Sequence, residues 1–129
     1  MGKRSRARAR SGRQAEPLPA APASEYVSPD GEQVLALRGA MTAGTRTAYA
    51  AALAGDDRQA GAAREDAWQR AVELLFERLA VRWTVSGVET EGQKELLARF
   101  RVASQQERRF VRDALREHLA EHFPELQAP

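Results

Sequence analysis

The clearest hydrophobic pattern lies in the middle of the chain. Large apolar residues recur at i, i+4, i+7, i+8, i+11 and i+15, namely Trp68, Val72, Leu75, Phe76, Leu79 and Trp83. This spacing places all six on one helical face and predicts the central helix of a core, with both tryptophans buried. Gly87 is well placed as the left-handed residue that ends this helix. A short strand over residues 81–88 is the alternative, but the sequence shows no obvious partner for it.

An earlier helix is predicted to begin at Ser28, because Pro29 suits the first helical position. Apolar or small residues then follow at spacings of three and four, namely Val34, Leu37, Met41, Thr45, Ala48 and Ala52. Gly39 and Gly44 each lower helix stability by about 1 kcal/mol relative to alanine. Whether this helix is continuous through the two glycines therefore stays open.

Two further helices carry start signals of the capping-box type. Thr90 precedes Gln93, and Ser104 precedes Glu107, so that each hydroxyl can accept from an amide while the later side chain reaches back. The predicted helices cover residues 91–102 and 105–122. Their inward positions are Leu96, Leu97, Phe100, Phe110, Val111, Ala114, Leu115 and Leu119.

These elements together predict an all-α fold, a small irregular bundle of about four helices. The bundle occupies residues 28–129, and residues 1–27 form a disordered basic tail that continues into a Pro/Ala-rich stretch. About 100 foldable residues suffice for one domain, but they leave little room for a deep substrate cavity.

The composition limits the cell compartment and the chemistry. The chain has no Ile, Asn or Cys and only two lysines, which is typical of a GC-rich bacterial genome. Without cysteine there is no disulfide and no thiolate site, and a cytoplasmic location is the default expectation. No window is long and apolar enough for a signal peptide or a membrane span. No nucleotide-binding glycine motif and no catalytic triad is recognisable, so we expect no cofactor and no enzymatic activity.

The positive charge is concentrated at the N-terminus. The chain has a net charge of +2, but residues 14–129 hold 14 basic against 18 acidic side chains. A flexible run of unopposed charges can follow an RNA or DNA backbone without fixed geometry. The candidate contacts in the tail are Lys3, Arg4, Arg6, Arg8, Arg10 and Arg13.

The last predicted helix supplies a second basic candidate. Arg108, Arg109, Arg112 and Arg116 span an arc of about 100° beside its apolar face, in an arrangement that invites comparison with a helix-turn-helix. Acidic residues on the other flank, including Glu107 and Asp113, support the alternative of a solvated face with Arg–Glu pairs.

One short motif has the order of metal ligands. His118, Glu121 and His122 follow the H-x-x-E-H order of inverted zinc peptidases. A third protein ligand and a substrate cleft are also needed, and the chain is short for such an enzyme. The alternative is two partly exposed histidines whose cationic form complements the helix dipole.

The favoured hypothesis is a non-enzymatic protein–protein interaction or regulatory module with an unknown protein partner. It predicts an exposed apolar patch around Val34, Leu37 and Met41. The alternative is a nucleic-acid-associated protein anchored by the tail and by the arginine-rich last helix.

Overall fold

The computed structural model describes residues 23–54, 62–126 and 128. Within these residues the protein has four helices and a four-stranded antiparallel sheet, so the fold belongs to the α+β class. The predicted all-α bundle is therefore wrong. In chain order the elements are β1 (Ala23–Val27), β2 (Gln33–Arg38), α1 (Ala43–Ala54), α2 (Ala62–Leu79), β3 (Ala80–Val85), β4 (Val88–Glu91), α3 (Gln93–Arg101) and α4 (Gln105–His122).

The first part of the predicted first helix is instead the turn and the second strand of a β-hairpin. Gly31 has a φ of 75°, which suits a turn and not a helix. The Ser28 hydroxyl accepts from the Gln33 amide at 2.9 Å and donates to Asp30 at 2.6 Å, which closes the loop between β1 and β2. A Pro-Asp-Gly sequence is itself a turn signal, and here it prevails over the helix-start interpretation. Strand β1 lies within the segment that the sequence assigned to the tail, and the prediction of disorder for residues 1–22 falls outside the described residues.

A second hairpin interrupts the predicted central helix. Helix α2 ends at Leu79, and the chain continues directly as β3, which contains Trp83. Ser86 and Gly87 both have positive φ, 49° and 81°, which is the requirement of a two-residue type I′ turn. The partner that the sequence did not reveal is β2, where Leu35 lies opposite Trp83.

The last two helices agree with their predicted ranges, and one of the two predicted capping boxes forms. The Ser104 hydroxyl accepts from the Glu107 amide, and the Glu107 side chain accepts from the Ser104 amide. Thr90 is instead part of β4, and α3 begins after Gly92 without a side-chain cap.

One face of the sheet carries the core. Leu35, Leu37 and Trp83 are fully buried together with side chains from all four helices. The Phe76 ring of α2 stacks on Phe100 of α3 at 4.9 Å and meets Trp83 edge-on at 5.5 Å. The opposite face carries polar cross-strand contacts such as the Arg82–Glu25 ion pair at 2.6 Å. None of the helices within the described residues is long and apolar enough to cross a membrane.

Candidate functional site

An open groove of about 400 Å³ runs between α2 and α4. Helix α2 contributes Glu65, Trp68, Gln69, Val72 and Glu73, which follow helical spacing along one face. Helix α3 contributes Phe100, and α4 contributes Gln105, Arg108, Arg109 and Arg112. We call this feature the Trp68 groove.

The apolar part of the Trp68 groove is an extension of the core. Val72 and Phe100 are buried to 8% and 6% exposure, whereas Trp68 remains 47% exposed. The predicted burial of Trp68 is therefore wrong, although Trp83 is fully buried as expected. An indole that stands half in solvent beside buried apolar side chains is a place where a ligand gains contact area without rearrangement of the core.

The α4 wall of the groove is positively charged. Arg108 lies with its guanidinium 5.5 Å from the Phe100 ring centroid and donates to the Arg101 carbonyl at 2.7 Å. Neither Arg108, Arg109 nor Arg112 forms an ion pair with any residue that the structure describes. The Arg112 Nε atom is also buried and has no hydrogen-bond partner within the described part of the chain.

Neighbouring arginines are neutralised, which makes this wall distinctive. Arg99 pairs with Glu107 at 3.2 Å, and that hydrogen bond lowers the pKa of the Glu107 carboxyl. Arg101 pairs at 2.6 Å with Glu73, which is one of the residues that line the groove. Both ion pairs use arginines of α3, and the Arg–Glu pairing expected along α4 does not include Arg108, Arg109 or Arg112 within the part of the chain that the structure describes. Arg116, the fourth predicted arginine, is exposed and is not part of the groove lining.

His118 occupies a structural position on the other side of α4. It is fully buried, and its Nε2 lies 2.6 Å from the Arg38 carbonyl while its Nδ1 lies 2.8 Å from the Tyr26 hydroxyl. Because a carbonyl only accepts, Nε2 carries the proton, and Nδ1 accepts from Tyr26. Burial lowers the pKa of His118, which favours this neutral form, and burial raises the pKa of Tyr26 to about 12. The expectation of a partly exposed, cationic His118 is therefore wrong.

The predicted metal-ligand motif does not come together as a site. His122 lies beside His118 with ring centroids 4.5 Å apart, and its Nε2 is 3.3 Å from the Ser24 hydroxyl. Glu121 is exposed and 3.9 Å from the His122 ring nitrogen. Both nitrogens of His118 are already engaged, and the described residues contain no group of three or more potential ligands. The pair instead ties β1 and β2 to α4.

Two other sequence predictions concern the apolar patch and the basic tail. Leu37 and Met41 are core residues of β2 and the loop that follows it, so the predicted apolar patch around them is wrong. The basic tail from Lys3 to Arg13 lies outside the described residues, and its role stays a prediction.

Trp68 was assigned to the core because it continues the α2 stripe. The polar neighbours Asp66, Gln69 and Arg70 were the available sign that this end of α2 is solvated.

Comparisons with protein-family models, with curated proteins and with solved structures find no match to this chain.

Proposed function

We propose that this protein is a non-enzymatic interaction module that docks a segment of another protein in the Trp68 groove. The observation that carries the proposal is the half-exposed Trp68 beside a buried apolar floor and a wall of arginines that have no carboxylate partner among the described residues. Tryptophan and arginine are the side chains most often found at the energetic centres of protein interfaces.

The available binding energy is sufficient for a specific contact. With 47% of its surface exposed, Trp68 offers roughly 120 Å² for burial, since an aromatic side chain of this size buries up to about 250 Å². At about 25 cal/mol per Å², covering it contributes about 3 kcal/mol before the entropy of association is subtracted. One anchor of this size supports binding in a small groove when charged contacts add to it.

The lining chemistry is consistent with binding. Among the described residues that line the groove there is no serine, threonine, cysteine or histidine. The buried imidazole of His118 is occupied by two structural hydrogen bonds. These points support a docking role for the groove.

A second candidate function is nucleic-acid binding, and it is favoured by Arg108, Arg109 and Arg112 beside an aromatic ring. Stacking of a base on Trp68 together with phosphate contacts would be the mechanism. Two carboxylates, Glu65 and Glu73, line the same groove and oppose a polyanion. For three phosphate contacts a slope of about −2 to −3 in log K against log salt is expected.

The test is selection of binders from a random peptide library by the full chain. We expect a family of peptides that bind the wild type and lose at least tenfold in affinity with Trp68→Ala. Val88→Thr is the matched control, because Val88 is an apolar residue with 69% exposure in β4 and lies outside the groove. It should leave the affinity unchanged.

Folding of the variants is checked independently. Trp83 is fully buried, so its blue-shifted fluorescence reports an intact core in Trp68→Ala. If no peptide is enriched, or if the enriched peptides bind a well-folded Trp68→Ala variant normally, the proposal is wrong. Single-stranded RNA and DNA oligonucleotides of 15 nucleotides are titrated in parallel, and binding that requires Trp68 would favour the second candidate.

A further inference from the structure

Building on the proposed docking at the Trp68 groove, we propose the chemistry of the partner: an acidic segment that carries one large apolar side chain. The apolar side chain packs against Trp68 and Phe100, and its neighbouring carboxylates pair with Arg109 and Arg112. This inference rests on the proposed function and goes beyond it by naming what the segment must contain.

The positive charge of the α4 wall is the argument for an acidic partner segment. The arginines next to the groove are paired, Arg99 with Glu107 and Arg101 with Glu73, but Arg109 and Arg112 have no carboxylate among the described residues. A partner carboxylate in the groove would supply the missing counter-charge and form charge-assisted hydrogen bonds with the lining guanidinium groups.

The shape of the groove is the argument for one large apolar side chain in the partner segment. Its volume of about 400 Å³ lies near the small end of the range for ligand pockets, and one side of it is open to solvent. Such a groove suits one or two side chains of a segment that crosses the surface. The exposed face of Trp68 and the nearly buried Phe100 form the contact for an aromatic or branched aliphatic side chain.

Other occupants fit less well on charge. The chain's own tail carries six basic groups in residues 1–13, which the arginines would repel. A second copy docked through the same groove by two-fold symmetry would place Arg109 and Arg112 near their own copies. Glu65 and Glu73 on the α2 wall oppose a continuous phosphate backbone but leave room for a segment whose acidic side chains face α4 alone.

The experiment measures which property of a bound peptide matters. The strongest peptide from the library selection is compared with two synthetic versions by fluorescence anisotropy with the full chain. One version replaces every Asp and Glu by Asn and Gln, and the other replaces the largest apolar residue by Ser. We expect each version to bind at least tenfold more weakly, and the affinity of the acidic peptide to fall as salt rises.

Charge reversal in the protein gives the matched test. Arg109→Glu exchanges an exposed side chain, so the core is left intact, and it should weaken the acidic peptide at least tenfold. Arg70→Glu is the control, because Arg70 is an exposed arginine of α2 outside the groove lining. It should change the affinity less than twofold.

The outcomes separate this inference from the proposed function. The acidic partner is overturned, and docking stands, if the selected peptides are not acidic. The same holds if the wild-type protein binds the amide version of the peptide normally and Arg109→Glu binds the acidic peptide normally, while Trp68→Ala loses affinity for it. If no peptide binds, both fail. If oligonucleotides bind with dependence on both Trp68 and Arg109 and acidic peptides do not, the partner is a nucleic acid and the inference is overturned.

Discussion

Replacing His118 should destabilise the fold more than its position near the C-terminus suggests. His118 is fully buried and joins the Tyr26 hydroxyl of β1 to the Arg38 carbonyl of β2. His118→Ala removes the imidazole to which the Tyr26 hydroxyl and the Arg38 carbonyl are hydrogen-bonded, and it leaves a cavity under the sheet. An unsatisfied buried polar group costs about 1 to 3 kcal/mol, and loss of a buried side chain adds to it. We expect a decrease of about 3 to 5 kcal/mol in the free energy of unfolding.

The same residue makes stability dependent on pH in a defined direction. Burial lowers the pKa of His118 in the folded protein, and the hydrogen bond to the Arg38 carbonyl opposes this shift. The neighbouring His122 adds a smaller lowering of the pKa, and Glu121 a smaller raising. The unfolded chain, with a usual pKa near 6.5, therefore binds more protons as pH falls below that value. Stability is retained above about pH 7 and is lost as pH falls, by at most about 1.4 kcal/mol per pH unit for one group.

Urea unfolding followed by circular dichroism between pH 7.5 and 5.5 measures this effect. His118→Gln is the matched variant, because an amide is able to donate to the Arg38 carbonyl but does not titrate. We expect the wild type to lose stability more steeply than His118→Gln as pH falls. Parallel profiles for the two proteins, or a wild type that gains stability on acidification, would refute the assignment of His118 as a neutral structural residue.

Three further substitutions test the local physical arguments by urea unfolding. Ser104→Ala removes the capping box of α4 and should lower stability by about 1 kcal/mol; no change would mean that the cap is not used. Gly87→Ala should cost about 1 to 2 kcal/mol, because φ is 81° and a Cβ would meet no atom within 4 Å, so backbone strain is the main contribution. Trp83→Ala should cost about 3 to 5 kcal/mol and Trp68→Ala less than half of that, since one indole is fully buried and the other half exposed; equal losses would contradict the exposure of Trp68.

The parts of the fold that local chemistry specifies were predictable from sequence. Helix α4 was predicted over its observed range because its apolar period is unambiguous and Ser104 with Glu107 marks its start. The strands were missed because their signals are shared with helices. Trp83 continues the helical spacing from Leu79, yet Val81, Trp83 and Val85 also recur at a spacing of two, as apolar residues do on one face of a strand. Pairing with β2, a contact between distant parts of the chain, decides between the two patterns.

The candidate site was predictable only in part, for the same reason. The helical arc of Arg108, Arg109 and Arg112 follows from sequence spacing. Their position opposite Trp68 depends on how α2 packs on α4, which no local pattern specifies. The sequence also shows Glu107 close to Arg108, but in the fold Glu107 pairs with Arg99, and the groove arginines form no ion pair with any other described residue.

The most direct test of docking in the Trp68 groove is a nitrogen-15 NMR titration of the full chain with the selected acidic peptide. The two tryptophans give two indole N–H signals, and Trp83 donates internally to Gln33 at 3.3 Å. We predict that the Trp68 indole signal and the Nε signals of Arg109 and Arg112 shift with peptide, while the Trp83 signal does not move. Shifts confined to another surface, with the Trp68 indole unchanged at saturation, would contradict the proposed docking site.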